Sequence, residues 1–122
     1  MAQGISGRAL SRLGNTLGTP TFVIDKAVSG AATTTVLSNA AFKFRVLDAW
    51  SINQSTNAGG WRITDGATDI TTAATVAGSD TDVDRAPTVD DATYEISQGG
   101  SLQIIHTGAS LSCTVFILCA RV

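Results

Sequence analysis

His106 is the single histidine of the 122-residue chain, and Ser110 and Ser112 follow closely behind it. A serine near a histidine is the beginning of a nucleophile and its base. Neither serine sits in a G-x-S-x-G elbow, and no carboxylate lies near His106 in sequence. A strand-borne histidine without an orienting acid reads as structural rather than catalytic. Asp80, Asp82, Asp84 and Asp91 loosely follow the spacing of a calcium-binding loop. That loop needs glycine at its sharp turn, where this chain has Arg85, and Pro87 intrudes before the last ligand. A solvated acidic loop is the reading, with a Ca²⁺ held at a loop or subunit boundary as the alternative. Cys113, Cys119 and His106 do not match zinc-ligand spacing. No glycine-rich phosphate loop leads into a helix. The expectation is therefore a protein that is not an enzyme, with no catalytic residue, no cofactor and no metal ligand. Two tryptophans remain. Trp50 shares its strand parity with Phe42 and reads as core; Trp61, beside the polar Gln54–Asn57 loop, is the candidate for stacking on a sugar.

Both cysteines fall on one predicted strand, six residues apart. At the rise of an extended chain that is roughly 20 Å, too far for a disulfide between them. They read as buried free thiols made in a reducing compartment. Hydrophobic residues make up 43% of the chain and charged residues only 15%. A typical soluble domain carries about 25% charge, so this surface suits a protein docked against other subunits. The net charge of −2 argues against a nucleic-acid binder. The charge is uneven. Arg8, Arg12, Lys26, Lys43, Arg45 and Arg62 against Asp25 and Asp48 give residues 1–62 a charge of +4. Residues 63–122 carry −6, from Arg85 and Arg121 against seven aspartates and Glu95. Such polarity would orient subunits against each other. The longest purely apolar run, Val115–Ala120, is too short to span a bilayer, and residues 1–20 lack the apolar core of a secretion signal, so no membrane partner is expected.

The elements that would position these residues are strands. In Ala41–Asn53, the even positions Phe42, Phe44, Val46, Trp50 and Ile52 are apolar, and period two is the signature of a β-strand. Asp48 interrupts the apolar row while Leu47 and Ala49 interrupt the polar one. A β-bulge near Leu47–Asp48 accounts for both by resetting which face is which. Further strands are predicted at Thr21–Val28, Thr33–Leu37, Trp61–Thr64, Thr68–Val76, Ala92–Ser97, Leu102–His106 and Leu111–Val122. Trp61–Thr64 would return beside the central strand, and Ala77–Asp91 reads as the longest loop. About eight short strands with turns between them predict one all-β domain over residues 21–122, an antiparallel β-sandwich or barrel.

The last strand is apolar on both parities: Val115, Ile117 and Cys119 on one side, Phe116, Leu118 and Ala120 on the other. A strand apolar on both faces must be covered on both. One face meets the core and the other is expected to meet another subunit, so Val115, Phe116, Ile117 and Leu118 are the oligomer-interface candidates. Covering about 400 Å² there would be worth roughly 10 kcal/mol before the costs of association. Residues 1–20 read differently. Ile5, Ala9, Leu13 and Leu17 recur every four residues, with Arg8 and Arg12 beside them and four glycines between. The expectation is an arm that docks on a partner through Ile5, Arg8, Leu10, Arg12, Leu13 and Leu17; a frayed terminus or a segment folded onto its own domain is the alternative.

The pattern FKFRVLDAWSIN…GGWRITDG…TDVDRAPTVDDATYEISQGGSLQIIHTG…VFILCARV, spanning Phe22–Val122, resembles the cement or decoration proteins of tailed-bacteriophage heads. The likeness lies in short Thr/Ala-rich strands, an acidic loop before a Y-x-I-x-x-G-G-x-L hairpin and an apolar last strand. It implies a jelly-roll sandwich with an extended N-terminal arm. It also implies a minor capsid protein that binds the major capsid protein lattice, self-associates as a homodimer or homotrimer, and sits on the capsid surface of a virion assembled in the host cytoplasm. A tail-fibre or receptor- or glycan-binding β-sandwich module is the alternative function.

Overall fold

The computed structural model describes residues 20–78, 81–86 and 95–122. Among these, nine strands run in chain order: β1 (Thr21–Ser29), β2 (Ala32–Leu37), β3 (Phe44–Asn53), β4 (Gly59–Thr64), β5 (Ala74–Val76), β6 (Val83–Arg85), β7 (Glu95–Ile96), β8 (Leu102–Thr107) and β9 (Ser112–Arg121). Every pairing is antiparallel. One sheet has the order β1-β9-β3-β6, with β7 also on β3, and the other has β2-β8-β4-β5. We call them sheets A and B.

The pairings are nested. β4 pairs β5, β3 pairs β6 and β7, β2 pairs β8, and β1 pairs β9. The chain thus forms one long antiparallel ribbon, folded at the β4–β5 turn and rolled so that β9 lies beside β3 and β8 beside β4. That is a jelly roll, as the family resemblance implied. The roll brings backbones nearly into contact at one of its turns. At the tip of the β8–β9 turn, Gly108 has φ +108°, and a Cβ there would stand 2.7 Å from the Ala58 carbonyl oxygen. Only glycine meets both demands.

The two sheets face each other across the core. Sheet A contributes Phe44, Val46, Ala49, Cys113, Val115, Ile117 and Cys119; sheet B contributes Trp61, Ile63, Leu102 and Ile104. The predicted bulge is present: the β3–β9 register shifts between Val46 and Asp48. Before it, Phe44 and Val46 point inward; after it, Ala49, Ser51 and Asn53 do. Trp50 is therefore moved off the Phe44 side to the outer face, contrary to the expectation that it is core. Trp61 is the buried one, 1% exposed.

Three further expectations are corrected. β4 does not return beside β3; it lies in the opposite sheet, between β8 and β5. Strand structure in Thr68–Val76 is confined to Ala74–Val76, apart from isolated bridge residues at Asp69, opposite Thr64, and Thr71. The Ala77–Asp91 loop contains β6, whose three residues pair with Trp50–Ile52. β6 and β7 occupy one edge of sheet A, opposite different ends of β3.

Candidate assembly face

His106 lies on the inner face of β8, 2% exposed. Its Nδ1 is 2.6 Å from the Gly30 carbonyl oxygen and its Nε2 2.8 Å from Thr34 Oγ1. A carbonyl only accepts, so Nδ1 carries the proton and Nε2 accepts from the threonine hydroxyl. Both nitrogens are engaged in clamping β2 and its turn to β8, which leaves neither to serve Ser110 or Ser112. Trp61 is likewise committed: its Nε1 donates to Ser51 Oγ across the core at 2.8 Å. A buried ring cannot stack a sugar, so the glycan reading loses the residue named for it.

Of the aspartates, Asp80 and Asp91 lie outside the described residues. Asp84 faces inward from β6, and its Oδ2 is buried with no hydrogen-bond partner among the described residues. Burial, and then the charge of Asp82, raise its pKa, against the N–H of Ala77, which lowers it. Among the described residues no group of three or more acidic, cysteine or histidine side chains is placed to hold a metal ion. Cys113 and Cys119 are free and buried. Burial, with the nearby charge of Asp84, pushes the Cys113 thiol up to about 11. Burial alone pushes Cys119 up to about 12.

The outer face of sheet A is the notable surface. In β9, Val115 and Ile117 are fully enclosed by the chain's own core, so the interface candidates left on that strand are Phe116 and Leu118. Register then places their neighbours. Phe116 lies between Asp25 of β1 and Trp50 of β3, and Leu118 lies between Val23 and Asp48. The Trp50 and Phe116 rings stack, 5.8 Å between centroids and 11° apart in plane. Ile52 is flanked by Val83 of β6. Val23 is 50% exposed, Val83 62% and Leu47, the bulge residue, 42%. On this face the apolar side chains step diagonally across four strands, from Val23 through Leu118, Phe116, Trp50 and Ile52 to Val83, with Asp25, Asp48 and Arg85 beside them. Arg85 is paired with Asp48 there: Nη2 to Oδ2 at 2.6 Å and Nε to Oδ1 at 3.0 Å. This paired fork spans β6 and β3 beside Trp50. A flat, ring-bearing stripe with one charge pair at its margin has the make-up of an interface core and rim.

Sequence reasoning found Phe116 and Leu118 from the double parity of β9. It missed Trp50, although the bulge it proposed was the signal: one extra residue moves every following side chain to the other side. Val23 and Val83 carried no signal, since single valines on short strands are unremarkable. The arm residues Ile5, Arg8, Leu10, Arg12, Leu13 and Leu17 lie outside the described residues.

No family model and no curated protein matches the chain. Solved structures do resemble it. A chain from the acid-stable capsid structure of Helicobacter pylori bacteriophage KHP30 superposes with a TM-score of 0.57 at 5% identity, covering 84% of this chain and 89% of that one. A chain of the disulfide-linked pili of Bacillus endospore appendages gives 0.46 at 8% identity, over 86% and 89%. A pentameric capsid protein from metagenomic phage sequences gives 0.38 at 19% identity, over 99% and 76%. The first is a likeness of fold. The other two, below 0.5, are too distant to compare strand by strand.

Proposed function

We propose that this protein is a virion structural protein, a capsid cement or decoration subunit. It binds the major capsid protein lattice and stabilises the head, and it self-associates. The observation that carries this reading is the apolar outer face of sheet A, left open by a jelly roll whose core lies between the two sheets. Exposed apolar patches of this kind mark interaction surfaces. The likeness of fold to a chain of a phage capsid supports it. The mechanism is additive and needs no chemistry: each subunit covers its open face against neighbours, so rupturing the shell requires separating those contacts too. Trp50 and Phe116 are the anchors, because stacked aromatic rings lose little conformational freedom on docking and bury large area. The Arg85–Asp48 pair at the margin fixes orientation more than it adds affinity.

Phe116→Asp tests this. A carboxylate at the centre of the stripe is expected to weaken self-association and binding to heads lacking the protein by at least about 100-fold, the scale of a central hot spot. The melting temperature is expected to move little, since Phe116 is outside the core. Light scattering reads the mass, and imaging of reconstituted heads reads occupancy. Full occupancy by the Phe116→Asp protein would overturn the proposal.

A further inference from the structure

The register of sheet A sets four side chains in one row across four strands: Asp25 of β1, Phe116 of β9, Trp50 of β3 and Arg85 of β6. The row spans three strand spacings, about 14 Å. A negative charge stands at one end, two stacked rings in the middle and a positive charge at the other. Asp25 is exposed, and no ion pair or hydrogen bond reaches its carboxylate among the described residues. Arg85 is exposed too, its side chain at 73%, and Asp48 engages only its Nε and Nη2. A guanidinium has five N–H donors in a planar fork, so the Nη1 side can serve a second carboxylate.

Charge decides how a second copy can meet this face. Sheets packed face to face keep their strands within about 30° of each other and lie about 10 Å apart. A two-fold axis running along the strands, between β9 and β3, reverses the row. Phe116 then meets the partner's Trp50 and Asp25 meets the partner's Arg85, each contact being made twice. On one side of the row large meets small, with Ile52 and Val83 against the partner's Thr114 and the partner's Ala27. On the other, Leu118 meets the partner's Asp48, a carboxylate turned aside to its own arginine. An axis running across the strands leaves the row unreversed. It sets Asp25 on the partner's Asp25 and Arg85 on the partner's Arg85, an arrangement that like charge opposes. We infer that the outer face of sheet A receives the same face of a second copy, through a two-fold along the strands that closes Asp25 onto the partner's Arg85. This rests on the reading of the chain as a self-associating shell subunit, and it makes the closed pair, rather than the single chain, the unit that meets the lattice.

Charge exchange in the full-length chain tests it, with pairing constants read by sedimentation. Asp25→Arg sets arginine on arginine twice and is expected to weaken pairing at least about tenfold. Arg85→Asp sets aspartate on aspartate and is expected to do the same. Mixed in equal amounts, the two variants should pair with each other at least about ten times more tightly than either does with itself, because every contact between them joins opposite charges. The Asp25→Arg/Arg85→Asp chain should again pair with itself. Arg85→Asp also strips Asp48 of its partner, so where that variant loses its melting transition, Asp25→Arg and wild type decide. Pairing unchanged by Asp25→Arg would overturn the inference. So would a mixed pair of wild type and Asp25→Arg tighter than the wild-type pair, the mark of an axis across the strands. Head occupancy separates this from the functional reading. A wild-type chain that stays single yet fills the heads sinks the inference alone, whereas a pair that forms as described and never occupies heads sinks the functional reading and leaves the pairing standing.

Discussion

The two outer faces of this sandwich differ in what they leave unfinished. Sheet B shows Thr33, Thr35, Gln103, Ile105 and Arg62 outward, in register across β2, β8 and β4. Arg62 is paired with Asp69 at 3.2 Å. That surface is β-branched and polar, at home in water. Sheet A shows Val23, Phe116, Leu118, Trp50, Ile52 and Val83, most of the large apolar side chains that the core does not use. Both sheets turn their inner faces to the shared core. The difference is therefore not a demand of folding, and an apolar outer face adds nothing to the monomer that threonine would not. It is the difference that the proposed association would use.

The sharpest way to break this contrast is to place the same charge on each face. Phe116→Asp should cost at least about 100-fold in association, while Ile105→Asp, at the corresponding depth on sheet B, should leave it within about twofold, within the scale of surface substitutions. Equal losses would mean that the faces are equivalent. The next largest effect concerns the tryptophans. Trp61→Ala empties the core and strands the Ser51 hydroxyl, and should lower unfolding stability by about 3–5 kcal/mol. Trp50→Ala loses only its stacking on Phe116, about 1 kcal/mol, but should weaken association as Phe116→Asp does. Denaturant midpoints and scattering mass on the same samples read both. The smallest effect sharpens the edge between core and rim. The pKa of Asp84 is raised in the folded state by burial and by Asp82, so the folded protein holds that proton more tightly than the unfolded chain. Stability should then rise as pH falls from the raised folded value towards the unfolded value of about 3.9, and the destabilisation is fully present above that window. Asp84→Asn should raise the neutral-pH melting temperature and flatten this dependence.

Much of the architecture was legible because period-two patterning is local. Eight of the observed strands overlap predicted ones, and the bulge was readable from Leu47, Asp48 and Ala49 alone. What was not legible follows from contacts distant in sequence. β6 is Val-Asp-Arg, with no apolar alternation, and exists because β3 offers it an unpaired edge. Gly59 and Gly60 read as turn residues, yet they belong to β4. Glycine is needed there because a Cβ on Gly59 would collide with the Thr107 carbonyl, and one on Gly60 would stand 2.9 Å from that of Ala74. Trp50 failed for a different reason. The bulge between Val46 and Asp48 inverts the facing of every residue downstream of it, so parity counted from Phe42 no longer applies at Trp50. For the candidate face, β9 gave half the answer by itself, and the other half needed the register that sets β1 and β3 on either side of it.

The nested ribbon also sets an order of events. β9 is the final strand of the roll and the central one of sheet A, so β1 and β3 have no common neighbour until residues 112–121 have been made. A nascent chain halted before Ser112 can assemble much of sheet B's β4 and β5, but it lacks the surface on which Phe116 meets Trp50. Closing β1 onto β9 spans nearly a hundred residues, a slow step for any topology. The sticky side of the molecule therefore cannot form before the last strand is in place, so that, on the proposed reading, a half-made subunit has nothing with which to join a shell.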